Sequence, residues 1–185
     1  MAEASAFPKL DHDELPISIQ AIWDLSYARR GEAKFIAGMG HNPELLDWYL
    51  KDFYQKVFYG GNVDRRYKEL GRLRLSHIHG CRSCNLGNRL DAIEGGLCDT
   101  EVDHIHELNF EGFSEADKSV MKLADLMSLA AEPGSVLEEK LYVDLAHYFS
   151  NAEVLEMAMT FSLLSGIARF IFAFELAEKE EYCRF

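Results

Sequence analysis

The sequence predicts an all-α protein, and three observations carry that reading. Apolar residues recur at spacings of three and four through most of the chain, helix-start signals precede these periodic runs, and Gly or Pro closes them. No alternating run reads as a strand, and no fixed-period repeat or low-complexity segment breaks the pattern. The 185 residues suffice for one domain with a real core, and a hydrophobic content of 48% excludes a disordered chain. We divide the chain into an N-terminal helical arm or extension, residues 1–40, and a helical domain, residues 41–185.

The elements follow in order. Asn42-Pro43-Glu44 opens the first well-marked helix: Asn caps, Pro fits the first position, and Glu suits the positive end. Leu45, Leu46, Tyr49, Leu50, Phe53, Tyr54 and Val57 form its apolar side, and Gly60-Gly61 closes it. A second helix starts near Asp64, carries Leu70, Leu73 and Leu75, and runs to Gly80. Leu86, Leu90, Ile93 and Leu97 fall at i, i+4, i+7 and i+11, one face of a third helix that Gly95-Gly96 ends. Thr100 is read as the cap of a short helix holding Val102, Ile105 and Leu108.

Ser114 with Asp117 opens another helix, with Val120, Leu123, Ala124, Met127 and Ala130 as its stripe and Pro133-Gly134 as its end. Leu137, Leu141 and Leu145 mark the next. Ser150 with Glu153 three residues on forms a capping box for the last long helix. That helix is apolar on most sides, from Leu155 and Met159 to Phe170, Ile171 and Phe174, so it is central in the core or half of a subunit interface.

Charge removes two function classes. Nineteen Lys+Arg against 31 Asp+Glu give a formal net charge of −12, the wrong sign for nucleic acid or an anionic membrane. The acidic start, MAEASAFPKLDHDELP, does not read as a secretory signal. The apolar stretch from Val154 to Ala177 carries Glu156, Arg169 and Glu175, and its uninterrupted part from Met157 to Ala168 is too short to span a bilayer. The expected compartment is the cytoplasm. Four cysteines are too few for a disulfide scaffold, and a close pair in a reducing compartment points to redox or metal chemistry.

That pair is Cys81-Arg82-Ser83-Cys84. A C-x-x-C at the start of a helix has a physical use, because unpaired N–H groups and the positive helix end stabilise a thiolate. A thiolate attacks a peroxide oxygen or a disulfide sulfur, and a second cysteine condenses with the sulfenic acid that a peroxide leaves. Two other readings stand beside this one. Both cysteines could be small buried apolar residues. His77, His79, Cys81 and Cys84 could also ligate zinc, with Cys98, His104 or His106 as distant ligands, although four ligands within eight residues close poorly into a tetrahedron. A thioredoxin-like setting would need a strand before Cys81, and none precedes it.

Glu69, Arg72-Leu73, Ser76, Gly80-Cys81-x-x-Cys84 and Ala92, with Asn42-Pro43-Glu44-Leu45 upstream and Gly60-Gly61 between, resemble the carboxymuconolactone decarboxylase superfamily, and within it the alkylhydroperoxidase D-like branch. The resemblance covers roughly residues 40–96. It implies an all-helical fold assembled as a homo-oligomer (dimer, trimer or hexamer) and a thiol-dependent antioxidant cycle that reduces organic hydroperoxides. Cys84 would attack the peroxide, Cys81 would resolve it as a disulfide, and Glu69 would start a proton relay. The reductant would be a lipoyl-type dithiol carrier, with no bound cofactor and no metal. Family peroxidases carry histidines where this chain has Ser83 and Asn88, so the relay is interrupted. This weighs against efficient peroxidase turnover but not against thiol–disulfide exchange, which is the alternative, beside a metal-binding or structural oligomer that lost the activity.

Several single residues carry expectations of their own. His77, one helical turn before Cys81, or His79 could take over as base. Glu69 shares a helical stripe with Leu73, Ser76 and Gly80, which suggests burial and a raised pKa. Cys98 is read as structural and Cys183 receives no role. Tyr49, Phe53, Tyr54, Phe58 and Tyr59 are read as core or subunit contact rather than a substrate box.

Overall fold

The structure, a computed structural model, describes residues 6–107 and 109–185. Along the chain run α1 (Ile17–Arg30), α2 (Lys34–Met39), α3 (Pro43–Trp48), a π-helical continuation (Tyr49–Phe58), α4 (Arg65–His79), α5 (Arg82–Glu94), α6 (Asp99–His106), α7 (Glu115–Met127), α8 (Glu139–Ala146) and α9 (Asn151–Ala173). Among the described residues no strand forms, and a single antiparallel bridge joins Cys81 to Lys179. The all-α expectation holds. Leu108, expected in the short sixth helix, and residues 1–5 of the arm lie outside the described residues.

α4 organises the molecule. It packs against α5, α6, α7 and α9, and every residue from Lys68 to His77 is buried, charged ones included. Its apolar side chains Leu70, Leu73 and Leu75 join Val120, Leu123, Met157 and Phe161 in the main core. Fully burying one such side chain is worth about 1.5–3 kcal/mol. Gly71 is required where α4 meets α9, because a Cβ there would come within 2.1 Å of the Phe161 ring. Lys68 is buried but not unpartnered, because its Nζ donates to Glu156 of α9 and to the Val57 carbonyl, each at 2.8 Å.

The helix starts read from the sequence are mostly where expected. The Asn42 side chain accepts from Leu45 N at 3.1 Å, and both Ser114–Asp117 and Ser150–Glu153 form capping boxes. Each cap of this kind contributes about 1 kcal/mol. Thr100 is not a cap. Cys98 takes that position, and the Glu101 carboxylate returns to Cys98 N at 2.8 Å, starting α6 at Asp99. α7 stops at Met127 and α8 starts at Glu139, so Ala130 and Leu137 fall in the connection.

Two departures matter for function. The run from Tyr49 to Phe58 is a π-helix rather than a continued α-helix, ending with Tyr59 N donating to Tyr54 O at 2.8 Å. The apolar stripe of α5 also faces outward: Leu86, Leu90 and Ile93 are exposed, while Ser83, Gly87, Asn88, Asp91 and Ala92 are buried. At 23 residues α9 is long and apolar enough to cross a membrane by composition, yet its Val154, Met157, Phe161 and Ala168 are buried within this fold. Its Leu155 and Met159 are exposed.

Candidate functional site

Gly80 ends α4 in the left-handed conformation, φ 65°, which turns the chain sharply into Cys81, the N-cap of α5. Cys84 N donates to Cys81 Sγ at 3.3 Å, an amide–sulfur contact at the positive end of a helix that suits a thiolate. In this structure Cys81 and Cys84 are joined as a disulfide. Cys81 is almost fully buried and Cys84 is half-buried, so Cys84 is the more accessible of the two residues.

The chain beyond α9 braces this loop. Arg82 N donates to Glu178 O at 2.9 Å, Glu180 N to Gly80 O at 2.9 Å, and Glu178 N to Ser83 Oγ at 3.0 Å. Asn85 Nδ2 reaches Glu180 Oε1 at 3.2 Å, and Cys183 Sγ donates to His79 O at 3.1 Å. Cys183 is therefore packed beside the dithiol loop, a placement its position in the sequence does not signal.

Both cysteines open onto a cavity of about 410 Å³. Apolar side chains of α2, the π-helix and α9 form one wall, among them Phe35, Ile36, Leu50, Ile167 and Ile171. Polar residues of α1, α4 and α5 form the other: Arg29, Arg30, Arg72, Ser76, Asn88 and Asp91. The aromatic run was read as core or contact, and that holds for Phe53 and Phe58. Tyr49 belongs to that core cluster as well, and Tyr49, Tyr54 and Tyr59 also line the cavity. Their five-residue spacing matches the i→i+5 bonding of the π-helix and is the signal that could have found them. Burial raises the pKa of Tyr49 and Tyr59, which keeps both as neutral hydrogen-bonding groups.

Glu69 is fully buried, as its stripe suggested, but it does not line the cavity. Its carboxylate is clamped by Arg65 Nε at 3.0 Å and by Arg72 Nη2. Arg72 Nη2 also reaches Asp91 Oδ2 at 2.9 Å, and Arg29 holds the other Asp91 oxygen. The result is a continuous row, Arg65–Glu69–Arg72–Asp91–Arg29, crossing from α4 through α5 to α1. Burial pushes the Glu69 carboxyl above its ordinary value, against the pull of Arg72 and Arg65. Burial also works against the Arg72 charge, but Tyr54, Glu69, Tyr59 and Asp91 more than restore it. Asp91, which the sequence reading missed, is the carboxylate of this row that faces the cavity, which Glu32 also lines.

The two histidines separate. His77 turns away and its Nδ1 lies 3.3 Å from Nδ1 of His106. His79 lines the cavity, and its Nε2 accepts from Leu129 N at 3.0 Å, which places the ring proton on Nδ1. Burial lowers both to about 4. Among the described residues no three His, Cys, Asp or Glu side chains converge as a metal site. The zinc set considered from the sequence is thus dispersed between a disulfide, a histidine pair and a backbone contact. Cys98 is exposed at the start of α6, away from these groups.

Residues 43–126 match the model of the carboxymuconolactone decarboxylase family. No curated protein matches the sequence. Among solved structures, an uncharacterised peroxidase-related protein from Ralstonia eutropha JMP134 with an alkylhydroperoxidase AhpD core is similar at TM-score 0.73 and 11% identity, covering 98% of this chain and 95% of that one. A cysteine-to-alanine variant of the debrominase Bmp8, in complex with 2,3,4-tribromopyrrole, is similar at TM-score 0.74 and 16% identity, covering 100% and 96%. A putative antioxidant defence protein AhpD from Agrobacterium tumefaciens is similar at TM-score 0.64 and 18% identity, covering 74% and 92%. At these identities the likenesses establish the fold.

Proposed function

We propose that this chain, which belongs to the carboxymuconolactone decarboxylase superfamily, is a thiol-dependent oxidoreductase that reduces organic hydroperoxides through a Cys81–Cys84 dithiol/disulfide cycle. One observation carries the reading: the two sulfurs sit within bonding distance at the N-terminus of α5, on the wall of a cavity, with Cys84 the more accessible. The Cys84 thiolate attacks the outer oxygen of a hydroperoxide. The O–O bond breaks, an alkoxide leaves and takes a proton, and Cys84 becomes a sulfenic acid. Cys81 then attacks that sulfur, the disulfide forms, and water leaves. A small external dithiol of the lipoyl type returns both sulfurs to thiols by exchange.

Glu69 serves in this reading as a positioning residue. It holds Arg72, and Arg72 holds the cavity-facing Asp91, so charge and orientation reach the site although no proton passes through an arginine. We place the protein in the cytoplasm as a homo-oligomer. The outward rows Leu86, Leu90, Ile93 on α5 and Leu155, Met159 on α9 offer apolar faces for self-association.

The test is mass spectrometry of alkylated peptides from reduced protein, before and after an organic hydroperoxide is added. A stoichiometric Cys81–Cys84 disulfide that dihydrolipoamide reverses is the expected result, and Cys84→Ser should abolish hydroperoxide consumption with the helical content intact. Unchanged turnover in that variant overturns the cycle. The second reading, a thiol–disulfide exchanger with little peroxidase activity, is favoured by one feature. The cavity histidine, His79, already spends its acceptor nitrogen on Leu129 N and is a weak base. It predicts rapid reduction of disulfide substrates and slow disulfide formation with peroxide.

A further inference from the structure

Among the described residues, one cation lining the cavity beside the dithiol makes no ion pair. Three arginines line it. Arg29 is paired with Asp91 and Glu94, and Arg72 with Glu69 and Asp91. Arg30, the last residue of α1, has no carboxylate within salt-bridge distance among the described residues, and its recorded hydrogen bond goes to Ser83 O at a long 3.4 Å. Glu32 is the cavity carboxylate left over, but its Oε2 accepts Lys34 N at 2.7 Å, at the start of α2.

The Arg30 guanidinium packs against α5 at Gly87. A Cβ at that position would come within 2.5 Å of both its Cζ and Nη1, so a glycine is needed for the group to sit there. The next residue supplies a second open donor. Asn88 is 6% exposed, lines the same cavity, and its amide makes no side-chain hydrogen bond among the described residues. The Asn88 amide faces the cavity and is not sealed from it, so its N–H donors are open to a group that enters. The same cavity is lined by the apolar side chains Phe35, Ile36, Leu50, Ile167 and Ile171.

We infer that the cavity binds an amphipathic acid: an apolar chain or ring against α2 and α9, with a carboxylate-type anionic group on Arg30 and Asn88. Resting on the redox reading only for what happens next to it, this makes the favoured hydroperoxide one that carries an acid group. A guanidinium and an amide presenting N–H donors to one oxyanion form charge-assisted bonds that a neutral hydroxyl cannot match. A cavity of this size takes a ligand of drug-like dimensions or smaller.

The experiment is calorimetric titration of the disulfide form at pH 7 with octanoate and with octan-1-ol, which have the same chain length. Octanoate should bind about tenfold or more tightly than the alcohol. Arg30→Gln should bring the two to parity while alcohol binding stays. Gly87→Ala, which keeps the charge but displaces the guanidinium, should lose most of the preference. Alcohol binding equal to octanoate binding in the unaltered protein, or no binding of either, overturns the inference without use of any variant. So does an acid preference that survives in Arg30→Gln. The titration involves no turnover, so its failure leaves the redox cycle standing, and failure of disulfide formation with peroxide leaves the acid site standing.

Discussion

α5 and α7 carry equally clear apolar stripes and use them in opposite ways. In α7, Val120, Leu123 and Ala124 are buried against α4 and α9, as the pattern demands. In α5 the corresponding row, Leu86, Leu90 and Ile93, faces out, and the inward face carries Ser83, Gly87, Asn88 and Asp91. The difference lies in what each helix meets. α7 meets a hydrocarbon core. α5 meets a row of arginines and a cavity, and burying Asp91 against Arg29 and Arg72 decides its rotation. Periodicity finds a stripe, while the partners of the polar face decide which way it turns.

Four measurements sharpen that contrast, and the first three test the buried groups. Asp91→Ala removes the carboxylate shared by Arg72 and Arg29 and leaves a buried guanidinium with one partner fewer. It should cost about 3–5 kcal/mol in denaturant unfolding, more than a surface ion pair could. A loss below 1 kcal/mol would mean that the row does not set α5. On the other helix, Leu123→Ala empties a 1% exposed position and should cost about 2–5 kcal/mol. Its unfolding midpoint should fall with an unchanged slope.

Acidification tests the histidines between the two regions. His77 and His79 are held near pKa 4 by burial, against 6.5 for the free side chain. The unfolded chain therefore binds more protons than the folded one between these values, and stability falls as pH drops from 6.5 toward 4. Each histidine contributes up to about 3 kcal/mol to that loss. Unfolding measured at pH 7 and pH 5 should show the drop, and His79→Gln should reduce it. The smallest effect belongs to the outward row of α5: Leu90→Ala, at a position 43% exposed, should change the stability of the isolated subunit by no more than about 0.5 kcal/mol. A larger loss that grows with protein concentration would show that the row is covered by another copy.

The legible part of this molecule is the part governed by local rules. Asn42, Ser114 and Ser150 cap where their types predict, and Gly80 turns the chain into the dithiol because a left-handed residue is needed there. C-x-x-C at a helix start is a local signal too. What stayed hidden depends on distant pairing. Asp91 reads as one acidic residue among many until Arg29 and Arg72 are brought to it from other helices. Arg30 lies some fifty residues before Ser83, its partner. Thr100 lost the cap to Cys98 because Glu101 could reach back to the earlier amide. The π-helix escaped because an α-helical period fits its apolar residues well enough, and only the tyrosine spacing of five departs from it.

The brace across the thiol loop also has a history in time. Ser83 waits on Glu178, 95 positions further along the chain. Synthesis delivers the N-terminal side first, at about 5–20 residues per second. Cys81 and Cys84 thus emerge seconds before the segment that fixes their backbone. During that interval the two thiols are held only by the turn at Gly80 and the start of α5, and their pairing with each other, rather than with Cys98, rests on the three-residue spacing alone.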